Sequence, residues 1–344
     1  MLDAKIIRQV NTSSPHNHLL EISYQQRTTL PDVLSDPHTL AVVDFAEQSL
    51  ATEDLRVIVG TAALKGNELI EVWRSREVPE KGSFGAIHYR KTGDLVFGQL
   101  CVENSSDSME NITRDIYQQV IQLQQQLGYP HLIRIWNYLP WINREDEGLE
   151  RYQAFCVGRH QSIDTSNGYE EHLPAATAIG THDDSTLVYF LAGREEGLQI
   201  ENHLQVSAFQ YPPQYAPKSP AFSRAIVKQW GEQKHLYISG TASILGHESQ
   251  HIGQLHEQID ECLNNMDILI SEADSKAGLG INRVADLTGI KLYLRDAASL
   301  DEVLAHLRPR LGDKVALMVL HADICRRDLL LEIEGLYAGR AAKG

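Results

Sequence analysis

The chain has 344 residues, 42% of them hydrophobic, and a formal net charge of −15. The length exceeds what one core usually serves and fits two domains, and the apolar share excludes a disordered chain. The acidic balance sets the surface against nucleic acid, and no apolar run approaches the roughly 20 residues of a membrane helix.

The same charge repels a small dianion, so an anionic substrate would need a local cluster of arginines. Cys101, Cys156, Cys262 and Cys325 are scattered and form no CxxC pair. The start, Met1 to Lys5, lacks a basic region followed by an apolar stretch. Reduced thiols and a cytoplasmic location are expected.

In chain order, residues 40–43, 55–59 and 86–89 read as short strands. Residues 95–100 lead into a polar loop, 103–108. Ile112, Ile116, Val120, Leu123 and Leu127 then recur at helical spacing, with Gly128 as the stop. A strand follows at 132–138. The second half repeats this order. Residues 236–240 are a strand leading to a polar loop, and Ile252, Leu255, Ile259, Leu263 and Met266 mark a helix. Residues 290–294 are a strand, and a helix near 300–307 takes Ser299 as N-cap with Asp301 and Glu302 in its first turn. Strands at 315–320 and 329–336 close the chain. The pattern predicts two related α+β halves, divided near 193–197 into domains 1–193 and 194–344. Residues 339–344 read as a frayed tail.

Several motifs have competing readings. His247-Glu248-Ser249-Gln250-His251 matches HExxH, but it sits at a loop-to-helix entry with no third ligand in view, which favours coincidence over a metal site. Gly278-Leu279-Gly280 lacks the third glycine of a dinucleotide loop and reads as a turn. In 329–336, alternation puts Leu330, Glu332, Glu334 and Leu336 on one face. If that face lines a pocket, burial and mutual repulsion keep one carboxyl protonated as a general acid; otherwise it is a solvated strand face. Residues 134–159 hold Trp136, Asn137, Tyr138, Arg134, Arg151 and Arg159, either a carboxylate-binding corner or a packed corner with surface arginines. Tyr211-Pro212-Pro213-Gln214-Tyr215, followed by Lys218 and Arg224, is a proline-stiffened segment or a linker.

Together these segments resemble the chorismatase family over roughly residues 90–337. The resemblance rests on Arg134 to Pro140 with Ile142-Asn143, Gly148 to Tyr152, Gly158-Arg159, and Val206-Ser207-Ala208 through Tyr215. It continues in Ser239 to Ser243, Gly246 to Ser249, Cys325 and Glu332. It implies an α+β fold of two Rid/YjgF-like halves, each a mixed sheet with helices on one face, working as a monomer. The implied activity is a chorismate lyase giving pyruvate and 3-hydroxybenzoate, with 4-hydroxybenzoate in a bifunctional subtype. Gly240 and Cys325 match that type, whereas the hydrolytic type, which yields a dihydroxycyclohexadiene carboxylate, tends to carry Ala. Glu332 is the implied proton donor and Cys325 its assistant. Tyr152, Arg159, Tyr211, Tyr215, Arg224, Gly240 and Arg295 are the implied substrate residues. Neither metal nor organic cofactor is required. The alternatives are a Rid-type imine deaminase, whose arginine position falls on Leu317 by an ungapped alignment of the last hairpin, and a metabolite-binding protein.

Overall fold

Seven consecutive buried residues, Thr39–Phe45, show no polar alternation, because both faces of the strand meet apolar partners. The computed structural model in which they sit describes residues 18–53, 56–103, 107–163 and 169–340. The expected strand start at Leu55, the middle of the loop 103–108, the first residues from Met1 and the tail beyond 340 lie outside the described residues.

The N-terminal part carries β1 (Leu20–Gln26), α1 (Leu30–Ser35), β2 (Thr39–Phe45), β3 (Leu50–Ala51), β4 (Arg56–Val59), β5 (Ala63–Lys65) and β6 (Leu69–Ser75). It forms a five-stranded sheet of order β1-β6-β2-β4-β3. Next come β7 (Glu80–Phe84), β8 (Ile87–Lys91), β9 (Leu95–Glu103), α2 (Met109–Leu127), β10 (His131–Pro140), the small hairpin β11 (Glu145–Asp146) and β12 (Leu149–Glu150), α3 (Arg151–Ser162), β13 (Ala175–Thr181) and β14 (Ser185–Gly193). The last part holds β15 (Leu198–Ile200), β16 (Ala225–Trp230), β17 (Gln233–Thr241), β18 (Ile244–Leu245), β19 (Glu248–Ser249), α4 (Leu255–Ala277), β20 (Gly289–Leu294), α5 (Leu300–Leu311), β21 (Ala316–His321) and β22 (Leu331–Arg340).

The central and C-terminal sheets repeat one topology. Their orders are β13-β10-β14-β9-β8-β7 and β15-β16-β17-β22-β20-β21-β5. In each, a long strand leads through a helix to a second strand, and a second helix crosses to a parallel neighbour: β10 with β13, β20 with β21. The closing strand then inserts antiparallel between the first two. These are the two mixed-sheet halves the resemblance implied. The N-terminal residues add a third sheet, and β5 crosses to pair with β21.

Helix ends follow local chemistry. Ser108 Oγ accepts from Asn111 N at 3.3 Å, and Gly128 stops α2 at φ 76°. Two expectations need correction. Ile252 lies before α4 and is 65% exposed, since the helix begins only at Leu255. Ser299 makes no side-chain cap; Asp296 accepts from Ala298 N instead, capping the short turn ahead of α5. Gly278 and Gly280 both have positive φ in the turn after α4.

Helices α2 and α3 cover one face of the central sheet, and α4 and α5 one face of the C-terminal sheet. The opposite faces meet the N-terminal sheet in a shared core that includes Trp73, Trp136, Tyr189, Tyr237 and Tyr293. Among the described residues no helix is long and apolar enough to cross a membrane.

Candidate active site

The edge of the central sheet, β13, abuts β17 of the C-terminal sheet, where Ala176 N donates to Ser239 Oγ at 2.9 Å. A cavity of about 280 Å³ opens at this seam. Its floor is Glu332, which is 5% exposed. The β17–β22 ladder slips between Ile238 and Thr241, so Gly240 bulges against Glu332. A Cβ at Gly240 would lie 1.8 Å from Glu332 Oε1. The glycine therefore makes room for the carboxyl itself.

Glu334, on the same strand face, is also buried, which removes the solvated-face reading of this pair. The two carboxyls differ sharply in partners. Glu334 Oε2 accepts from Arg134 Nη2 at 2.8 Å and Thr177 Oγ1 at 2.7 Å, and Oε1 accepts from Trp136 Nε1 at 3.0 Å and pairs with Lys291 Nζ at 2.9 Å. Burial alone would raise the pKa of Glu334, but Lys291 and Arg134 hold it below the usual carboxylate value. Glu332 lacks such donors. Burial, and then the charge of Glu334, push its pKa up to about 8.

Four arginines line the same cavity: the exposed Arg327, and Arg159, Arg224 and Arg326. Arg327 pairs with Glu150 at 3.8 Å, whereas the other three form no ion pair with a carboxylate among the described residues. Arg159 is 4% exposed, stacks over the Tyr117 ring at 5.0 Å, and its Nε has no partner. Helix α3 presents it because Gly158 lets that helix touch α2; a Cβ there would lie 2.2 Å from Glu110 O. Arg224 Nη2 donates to Tyr211 Oη at 2.8 Å and Val206 O at 2.9 Å. Arg326 lies 3.8 Å over the Tyr215 ring and donates to His247 O at 3.0 Å. Tyr215 Oη and His247 Nδ1 are 3.0 Å apart. Two buried arginines, Arg159 and Arg224, and the half-buried Arg326, without carboxylate partners among the described residues in an acidic chain, have the chemistry to hold an anionic ligand.

The cavity thus brings together Glu332, Cys325, Tyr152, Arg159, Tyr211, Tyr215, Arg224 and Gly240. Arg295 is the exception among the residues the sequence pointed to. It does not line the cavity, because its guanidinium pairs with Asp323 at 2.5 Å and donates to the carbonyls of Leu329, Ile324 and Arg326. It braces the loop that carries Cys325 and Arg326. Burial, and then Glu332, push the Cys325 thiol far above its usual range, so it stays neutral. Arg326 and Thr177 were missed; Arg326 directly follows a singled-out cysteine, and that adjacency was its only signal.

His247 occupies the turn between β18 and β19, and His251 lies beyond β19 at φ 54°. The two are not one helical turn apart, which HExxH chemistry requires. Leu317 lies on β21 and packs toward the helix-covered core. Because arginines reach the cavity from other segments, the lack of one at Leu317 discriminates nothing.

Fold and cavity together define the class: a two-repeat α+β protein with a buried carboxyl at the floor of an arginine-lined pocket. Residues 71–192 match the family described as chorismatase FkbO/Hyg5-like, N-terminal. A chorismatase of Streptomyces hygroscopicus is 35% identical over 322 residues, covering 91% of this chain and 93% of that protein. A 3-hydroxybenzoate synthase of the same organism is 35% identical over 275 residues, 77% of this chain and 80% of that protein. A chorismatase crystal structure superposes with TM-score 0.84 at 34% identity, covering 93% of this chain and 98% of the other. The chain belongs to the chorismatase family.

Proposed function

We propose that the protein cleaves chorismate to pyruvate and 3-hydroxybenzoate, with Glu332 as the proton donor. The observation that carries this reading is a carboxyl buried in an arginine-lined pocket, where burial and the charge of Glu334 push its pKa up to about 8. Chorismate is an enolpyruvyl ether with two carboxylates. Arg159, Arg224 and Arg326 supply cations for those carboxylates, and Tyr152, Tyr211 and Tyr215 shape the pocket around the ring.

Glu332 protonates the terminal methylene carbon, which gives an oxocarbenium ion and makes the ether oxygen a good leaving group. The neighbouring ring hydroxyl then attacks the carbon that carried the ether. Pyruvate departs, the hydroxyl proton returns to the Glu332 carboxylate, and an arene oxide remains. Opening of the oxide with loss of a ring proton gives the aromatic product. Atoms balance without water or a redox partner. Cys325 takes part as a neutral thiol, by shape and weak hydrogen bonding rather than as a thiolate. A monomer as the working unit belongs to the same proposal. Release of some 4-hydroxybenzoate belongs to the same proposal.

The hydrolytic reading, in which water captures the side-chain cation, differs in product. Incubating the protein with chorismate, quantifying pyruvate and separating the products by chromatography tests both. Release of 3-hydroxybenzoate with equimolar pyruvate is expected, and a dihydroxycyclohexadiene carboxylate as main product overturns the lyase assignment. Glu332→Gln should lose roughly 10²–10⁴ in pyruvate release with the fold intact. Near-normal release would remove Glu332 from the role.

A further inference from the structure

Strand β20 is buried along its whole length yet carries Lys291, 3% exposed. Strand β6 of the N-terminal sheet carries Glu71, 1% exposed, between Ile70 and Val72. The three-sheet core brings them together. Lys291 Nζ lies 3.1 Å from Glu71 Oε2 and 2.9 Å from Glu334 Oε1. Glu71 also accepts from Trp73 Nε1 at 2.7 Å and from Tyr24 Oη at 3.0 Å. A cavity of about 10 Å³, close to the room one water needs, lies among these groups. With Arg134 on Glu334, the cluster holds two carboxylates and two cations.

The groups facing Glu332 are Glu334 on its own strand, Arg134 of β10 and Arg224 before β16. Cys325 and Arg326 face it from the loop before β22, Tyr152 and Arg159 from α3, and Cys262 from α4. Those facing Glu334 are Lys291, Arg134 and Glu71, with the neutral phenols of Tyr24, Tyr138, Tyr189 and Tyr293. Among these, Glu334 is the nearby anion that opposes ionisation of Glu332. Were Lys291 to serve Glu334 alone, it would cancel more of that field.

We propose that Glu71 is a positioning residue for the acid: by pairing with Lys291 it offsets that cation, so that the Glu334 charge facing Glu332 is less fully cancelled. The N-terminal sheet thereby acts on chemistry at a pocket it does not line. This deepens the reading of Glu332 as proton donor and rests on it.

The test uses the full chain carrying Glu71→Gln. Pyruvate release is measured against pH, and the infrared carbonyl band of protonated Glu332, identified by its loss in Glu332→Gln, is titrated separately. Both the alkaline limb and the band should move to lower pH by about one unit, the scale of one nearby charge. Both should return in Glu71→Gln/Lys291→Met, where the removed charges cancel. A merely structural role would lower the melting temperature and the rate without moving either midpoint. A band that titrates as in the parent overturns the proposal. So does a double variant displaced as far as the single one is expected to be, and that arm decides the matter where Glu71→Gln alone does not fold. A band that moves while the rate profile stays in place leaves the charge coupling standing and removes Glu332 as the proton donor.

Discussion

Gly240 and Glu332 compete for one volume, because a Cβ at position 240 would lie 1.8 Å from Glu332 Oε1 and 2.7 Å from its Cδ. A methyl there has to displace the carboxyl or open the β17 bulge, and close-packed interiors feel even one methylene. Gly240→Ala should therefore lower pyruvate release by moving the acid, before any effect on the substrate ring. Cys325 borders the same space. Cys325→Ala leaves room for a displaced carboxyl and for water, so the double variant should recover pyruvate release while shifting product from 3-hydroxybenzoate toward the diene-diol. Chromatography with parallel pyruvate assay checks this, and an unchanged product ratio would detach these residues from the partition. Arg159 has a different signature. Among the described residues its Nε has no partner and its guanidinium no carboxylate. Arg159→Met should raise KM for chorismate about 10–100-fold, the worth of one charge-assisted hydrogen bond. An unchanged KM would place the substrate carboxylates elsewhere.

At the scale of elements, two substitutions near α2 separate stability from binding. Ser108 caps α2 and does not line the cavity. Ser108→Ala should cost about 1 kcal/mol with KM unchanged. Gly158→Ala should lower the melting temperature and raise KM together, because the methyl meets Glu110 O and moves α3, the helix that presents Arg159. Thermal melts beside KM measurements check both, and an unchanged KM in Gly158→Ala would break the link. Helices α2 and α4 were legible in the sequence because their apolar residues repeat at 3.6 and a glycine ends each at positive φ, whereas α3 ends on Ile163 and gave no such signal. The strand pair Glu332 and Glu334 was legible by alternation. What period cannot show is which strand meets which. Lys291 and Glu71 are each a lone charge in an apolar run, and only the tertiary pairing makes them partners. Arg295 looked like Arg159 in sequence, and its difference lies in Asp323 and three loop carbonyls that no local pattern encodes.

For the whole molecule, the protonated Glu332 ties stability to pH with a definite sign. Its pKa in the fold is about 8 against an ordinary 4.5, so between those values the native state binds a proton that the unfolded chain has released. Stability from this group is fully present below about 4.5 and is lost as pH rises through about 8. The loss approaches about 1.4 kcal/mol per unit of pH in that window. Glu332→Gln keeps the shape and removes the titration. The variant should therefore become progressively more stable than the parent as pH rises from about 5 to 8, and the difference should level off above that. The parent should meanwhile lose pyruvate release over the upper part of the same window, as its acid ionises. A pocket that holds a carboxyl protonated thus trades fold stability for reactivity at neutral pH. Denaturant melts of the two proteins at matched pH values measure the difference directly. Curves that run parallel across the window would mean that Glu332 is ionised in the fold, and the acid would have to be sought in another group.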